Sequence, residues 1–407
     1  MKLYCLLFIS LLLSFASVSQ NIKKKIEALD TAYYHDDFVG AKKLITEIYP
    51  QRQVLKDTVL VEFLSTCGSV YYNTNEFVEA EKYFLEASEK AKAALGENEY
   101  HYALAIFNLA GCYKEEGRYA EAEPLYLKSL PVLAPAFGQS SVEYTRCFYT
   151  LASLYIDMGR YADAEGMCAA AVNFYKEILG NESPDYLGAL GSMGIVYQGL
   201  GRYEKAEEIF LALLNYFKAQ ENPNRETIIT LQNNLGELYR NMGDYERAEP
   251  ALAEAVKMSP DNSISATTAL NNLALVQKAL GKYAEAEMSY KKSIGIYKFL
   301  NKTDHPDYTN PLNNLGELYR VMGRLQEAVD AFEEVIALRK KSLGTEHPNY
   351  ANALNNLALV EYAIGSYESA EVHLLECKAI YKKTLGEKHK YYANCLNNLA
   401  SVYKAEN

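Results

Sequence analysis

The chain reads as all-α: a solenoid of stacked helix–turn–helix units, preceded by a signal peptide. Three observations lead there. A glycine followed two residues on by an aromatic recurs at a period of 42 residues. An alanine stands five residues after each such slot. Apolar residues on both sides of the slot keep the spacing of a helical stripe.

The first element is the leader, MKLYCLLFISLLLSFASVSQ. Lys2 supplies a short positive region and Leu3 to Phe15 an apolar run. Ser17 and Ser19 are small residues suited to cleavage before Gln20. The apolar run is short for a bilayer span of about 20 residues, so residues 1–19 read as a cleaved signal peptide and the product as exported, to periplasm, cell surface or medium. No later apolar stretch is long enough to span a membrane. Cys5 lies inside the apolar run, which argues against a lipid anchor.

The repeats occupy 20–407. Gly117-Arg118-Tyr119, Gly159-Arg160-Tyr161, Gly201-Arg202-Tyr203 and Gly243-Asp244-Tyr245 set the register. Gly281-Lys282-Tyr283 follows after 38 residues, then Gly323-Arg324-Leu325 and Gly365-Ser366-Tyr367 restore 42. Asn75-Glu76-Phe77 and, more weakly, Asp36-Asp37-Phe38 fill the slot upstream. The fixed alanines are Ala41, Ala80, Ala122, Ala164, Ala206, Ala248, Ala286, Ala328 and Ala370. A small residue at a fixed point lets two helices approach closely. Before the slot, Leu235-Gly236 with Tyr239 forms one stripe. After it, Tyr203, Ala206 and Phe210 form another. The glycine between them breaks the chain and permits the turn. Units start near 22, 61, 103, 145, 187, 229, 267, 309 and 351, and a lone helix begins near 393. One hairpin cannot bury its apolar face alone, so neighbours must stack.

Composition narrows the function. The formal net charge of −11 lacks the basic footprint of a nucleic-acid binder and disfavours broad adsorption to anionic membranes. No GxSxG, P-loop, HExxH or paired CxxC occurs, so no enzyme is expected. His373 and Cys377 share a helix face, but two ligands do not make a metal site. His305-Pro306 and His347-Pro348 fit helix starts. The tyrosine columns fall on packing positions. Cys67, Cys112, Cys147, Cys168, Cys377 and Cys395 follow the leader at irregular spacing and read mostly as buried, unpaired thiols.

One pattern resists a packing account. Asn108, Asn234, Asn272, Asn314, Asn356 and Asn398 each precede the core leucine of a first helix, with Thr150 and Ser192 filling the gap. Asn233, Asn271, Asn313, Asn355 and Asn397 stand one place earlier. Mid-helix asparagine lowers helix propensity and competes for backbone bonds. Further along that face, Lys114, Gln198, Arg240, Lys278, Arg320 and Lys404, with Arg146, add positive charge, which Glu237 and Glu317 partly offset.

The repeats resemble the tetratricopeptide repeat family. The match rests on Gly236, Tyr239, Gly243, Tyr245, Ala248, Ala255 and Pro260. The 42-residue period, with Leu343-Gly344-Thr345-Glu346-His347-Pro348-Asn349-Tyr350 followed by Leu354-Asn355-Asn356-Leu357-Ala358, is similar to the kinesin-light-chain-like subclass. The resemblance implies a right-handed superhelix whose first helices line a concave groove. It also implies a non-enzymatic scaffold without cofactor or metal, binding a protein or an extended peptide through the asparagine column, where Arg240, Lys278 and Arg320 would suit an acidic ligand. An amide offers donor and acceptor together, matching a peptide unit. An alternative role for the asparagines is bonding to one another along the groove. Exported arrays of this kind are also found fused to caspase-like or kinase domains. Because Asn407 falls on the glycine slot, the chain reads equally as a capped solenoid or as the sensory part of a larger effector.

Overall fold

The computed structural model describes residues 20–303 and 305–406; the leader, 1–19, lies outside them. Every described element is helical, and the chain divides into two compact units, one running to Arg202 and one from Tyr203. The first unit contains α1 (Gln20–Tyr34), α2 (Phe38–Ile48), α3 (Asp57–Asn73), α4 (Phe77–Ala94), α5 (Tyr100–Glu115), α6 (Tyr119–Phe137), α7 (Val142–Asp157), α8 (Tyr161–Leu179) and α9 (Pro184–Gly199). The second contains α10 (Tyr203–Lys218), α11 (Arg225–Met242), α12 (Tyr245–Met258), α13 (Ile264–Ala279), α14 (Tyr283–Phe299), α15 (Thr309–Val321), α16 (Leu325–Leu343), α17 (Pro348–Ile364), α18 (Tyr367–Thr384) and α19 (Lys390–Glu406). First helices begin a few residues before the unit starts read from the sequence, except α15, which begins at Thr309 as read.

Turn chemistry explains the breaks. Gly243 and Gly365 cap α11 and α17 in the left-handed region, with φ of 78° and 93°. A side chain there would be strained. Asn75 and Asp36, which fill the slot upstream, adopt the same hand with φ of 60° and 59°, as short polar side chains can. Ser141, Asn224 and Ser263 cap the starts of α7, α11 and α13 by accepting from backbone N–H groups three residues on. In the longer connector a histidine performs this task. Asn349 N–H donates to His347 Nδ1 at 3.0 Å, and Asp307 N–H to His305 Nδ1 at 3.2 Å. Burial, with Arg339 nearby, lowers the His347 pKa and so favours the neutral ring that can accept.

The nine slot alanines, Ala41 through Ala370, are all fully buried. They bring each second helix against its neighbours. Within the first helices Gly236 serves the same end: a Cβ there would meet Leu252 Cγ at 2.3 Å. The six cysteines after the leader are buried and form no disulfide among the described residues, as small core hydrophobes. The tyrosine columns are largely core as well, with Tyr239, Tyr319, Tyr308 and Tyr350 buried.

Candidate binding face

In the second unit, α11, α13, α15, α17 and α19 touch one another in sequence, while the second helices stand further apart. The first helices therefore form the inner side of this unit, and the asparagine pairs lie on them. Asn314 Nδ2 donates to Asn271 Oδ1 at 3.0 Å, Asn356 to Asn313 at 3.1 Å and Asn398 to Asn355 at 2.9 Å. The second asparagine of each repeat reaches back to the first asparagine of the repeat before. The inter-repeat bonding anticipated as an alternative is thus present, and it rationalises a residue type that helix propensity disfavours.

These bonds do not exhaust the amides. Each joined pair keeps an unengaged NH2 group, on Asn271, Asn313 or Asn355, and an unengaged carbonyl, on Asn314, Asn356 or Asn398. All six are half-buried. The column breaks at the short repeat. Asn272 follows Asn233 by 39 residues rather than 43, and the corresponding bond is not made. Asn233 Oδ1 is left buried without a partner. Asn234 and Asn272 make no side-chain hydrogen bond among the described residues. Asn108 stands apart: in the first unit it is only 2 % exposed, so its amide is closed to a ligand and it leaves the set of expected contacts.

The cationic column is largely answered by carboxylates. Arg320 makes a two-pronged bond to Glu317, at 2.7 and 2.8 Å. Lys278 Nζ lies 3.8 Å from the same Glu317, and burial lowers its pKa. Arg240 reaches Glu237 only at 3.6 Å, and its Nε is buried without a partner. The Tyr290 hydroxyl, near Arg240 and Glu317, is likewise buried and unpartnered. Three cations face two carboxylates here. Two polar hydrogens, on Arg240 Nε and Tyr290 Oη, have no acceptor. In the first unit the column carries no spare charge: Lys114 lies 2.9 Å from Asp157 and 3.3 Å from Glu115, and Arg146 pairs with Asp185 at 2.7 Å. Lys404 on α19 is exposed. His373 and Cys377 do not converge: His373 Nδ1 is 2.8 Å from Glu361, and Cys377 is in the core.

A second recurring cluster escapes the sequence reading. Arg118, Arg160 and Arg324 each lay the guanidinium over the tyrosine of the preceding first helix, 3.9, 4.4 and 4.3 Å from the Tyr113, Tyr155 and Tyr319 ring centres. Each also donates to a glutamate one repeat back: Glu81 at 2.8 Å, Glu123 at 2.7 Å and Glu287 at 2.6 Å. Where Asp244 takes the slot, Arg247 fills the same place, 4.2 Å over Tyr239 and 2.6 Å from Glu207. The signal was periodic: arginine directly after the slot glycine and glutamate directly after the fixed alanine.

A repeat model described as tetratricopeptide repeat matches residues 63–134, 144–219, 185–261, 265–341, 309–383 and 349–407. No curated protein matches. Among solved structures the chain is similar in fold to a Rap protein complexed with competence and sporulation factor, at 15% identity over 95% of this chain and 99% of that one, with a TM-score of 0.60. It is similar to NprR in complex with its cognate peptide NprX, at 14% identity over 94% and 100%, TM-score 0.56. It is also similar to BtubC (BKLC) from P. vanneervenii, at 21% identity over 56% and 92%, TM-score 0.50. With the repeat model covering most of its length, and its period, caps and buried alanines in place, the chain belongs to the tetratricopeptide repeat family.

Proposed function

We propose that this protein is an exported, non-enzymatic scaffold that holds an extended segment of a partner protein along the first-helix face of its second unit. One observation carries the reading: the asparagine pairs bond to each other and still present an unengaged donor and acceptor at successive repeats. Neighbouring packed helices are roughly 8–10 Å apart and an extended chain advances about 3.3 Å per residue. One rung then meets about every third peptide unit, and the run from Asn234 to Asn398 spans on the order of a dozen residues. Backbone pairing of this kind tolerates many sequences. Selectivity would come from Arg240, Lys278 and Tyr290, whose uncommitted hydrogens favour an acidic side chain.

Likeness in fold to proteins solved with a bound factor or peptide supports peptide binding without naming the ligand. Export rests on the leader at 1–19. The test is selection from a random twelve-residue peptide library, followed by titration of an enriched peptide. Binding should weaken on N-methylation of alternate peptide units and on Arg240→Met. Retention of full affinity in both would refute backbone capture.

A further inference from the structure

In the first unit the asparagine column lapses to Thr150 on α7 and Ser192 on α9. The two short side chains help leave a cavity of about 370 Å³ on the first-helix face. Tyr126, on α6, forms its floor, in a slot that holds Phe84, Phe210, Leu252 or Phe332 in four other repeats and a second tyrosine, Tyr290, in another. The ring is fully buried, yet the hydroxyl has no hydrogen-bond partner. Gly111 on α5 lies beside it: a Cβ there would stand in ordinary contact with Tyr126 Oη, at 3.7 Å. A tyrosine hydroxyl sunk in a core without a partner costs free energy, so its persistence at a cavity wall points to a polar occupant.

The walls define that occupant. Tyr149 Oη and Ser192 Oγ share a bond of 2.5 Å, and Thr150 and Ser153 add further hydroxyls. These groups both donate and accept. Phe77 and Tyr72, edge to face at 5.3 Å, provide apolar ring surface. Lys114 is the one cation lining the cavity among the described residues, and Asp157 and Glu115 already hold it. Two carboxylates against one ammonium repel an anion. A lysine or arginine side chain would have to displace Lys114 from both acids. What remains is a neutral molecule with several hydroxyls and an apolar face. At about 30 Å³ per water the volume equals roughly a dozen waters, room for one hexose together with bridging waters.

We infer that this cavity is a binding site for a single neutral sugar ring, independent of the peptide face of the second unit. The test uses the full chain in isothermal titration and saturation-transfer NMR. The probes are D-glucose, D-galactose, N-acetyl-D-glucosamine and myo-inositol, with glucuronate and glucosamine as charged comparators. At least one neutral probe should saturate at one site per chain. Tyr126→Phe should weaken it about fivefold, the loss of one hydrogen bond, and Ser192→Asn, which refills the cavity, should abolish it. Both variants should keep wild-type circular dichroism and Tm, because Phe84 and Asn234 stand in the matching slots of other repeats. Three results would each overturn the assignment: no neutral probe saturating, unchanged affinity in both variants, or tighter binding of a charged comparator.

Discussion

Asn356 donates through Nδ2 to Oδ1 of Asn313, 43 residues earlier, at 3.1 Å. That bond ties one repeat to the next and engages only one group of each amide. Stability and recognition therefore draw on the same column, and they can be separated by position. Asn314→Ala and Asn356→Ala each break an inter-repeat bond and should cost about 1 kcal/mol. Asn234→Ala and Asn272→Ala break none among the described residues and should leave the melting temperature unchanged or slightly higher, since alanine is the better helix former. Differential scanning calorimetry of the four single variants checks this.

Glu287 anchors one of the arginine–tyrosine clusters. Burial alone would raise its pKa, but bonds from Arg324 and Lys291 outweigh that and hold it down at about 2. Its contribution should be complete above the ordinary glutamate pKa of 4.5 and fade as pH falls toward about 2. Glu287→Gln should destabilise the second unit by about 1–3 kcal/mol at pH 7. The gap from wild type should narrow on acidification, as read by urea unfolding at pH 7 and pH 3.

Asp30 behaves in the opposite sense. Burial pushes its pKa up to about 6, only partly countered by the bond from Thr66, 3.4 Å away. The neutral acid is favoured in the fold, so this stabilisation is present below 3.8 and lost as pH rises through about 6. Asp30→Asn should stabilise the first unit at pH 7.5 by on the order of 1–2 kcal/mol, after discounting for partial solvent access. The advantage should vanish near pH 4 in thermal melts.

Gly236 is held by packing rather than by turn geometry. A Cβ would sit 2.3 Å from Leu252 Cγ and 2.6 Å from Leu252 Cδ2. Alanine gains helix propensity there but must displace a fully buried leucine. Gly236→Ala should destabilise by about 1–3 kcal/mol, and Gly236→Ala combined with Leu252→Ala should cost less than the sum of the two single changes. A double-mutant cycle in urea measures the coupling.

Much of this architecture was legible in the chain because its causes are periodic. The slot glycines, the alanines from Ala41 to Ala370 and the Leu–Gly–Tyr stripes each repeat, and every copy constrains the next. Asn233 shows where legibility ends. Its partner in the ladder is set by the position of α13, which a connector four residues shorter displaces, and spacing along the chain does not report that shift. Asn108 was misplaced for a related reason: exposure depends on how neighbouring helices close over a position. The hydroxyl of Tyr126 was hidden because tyrosine at a core slot reads like phenylalanine until its hydroxyl is seen to lack a partner among the described residues.

The central claim is that the asparagine face of the second unit grips a peptide by its backbone. Titration of a library-selected peptide into wild type and into the Asn234→Ala, Asn272→Ala double variant tests it most directly, because neither residue makes a side-chain bond of its own in the fold. At least a tenfold loss of affinity is expected, equivalent to about 1.4 kcal/mol, with an unchanged melting temperature. Equal affinity in the two proteins would contradict the claim and leave the ladder a device for joining repeats.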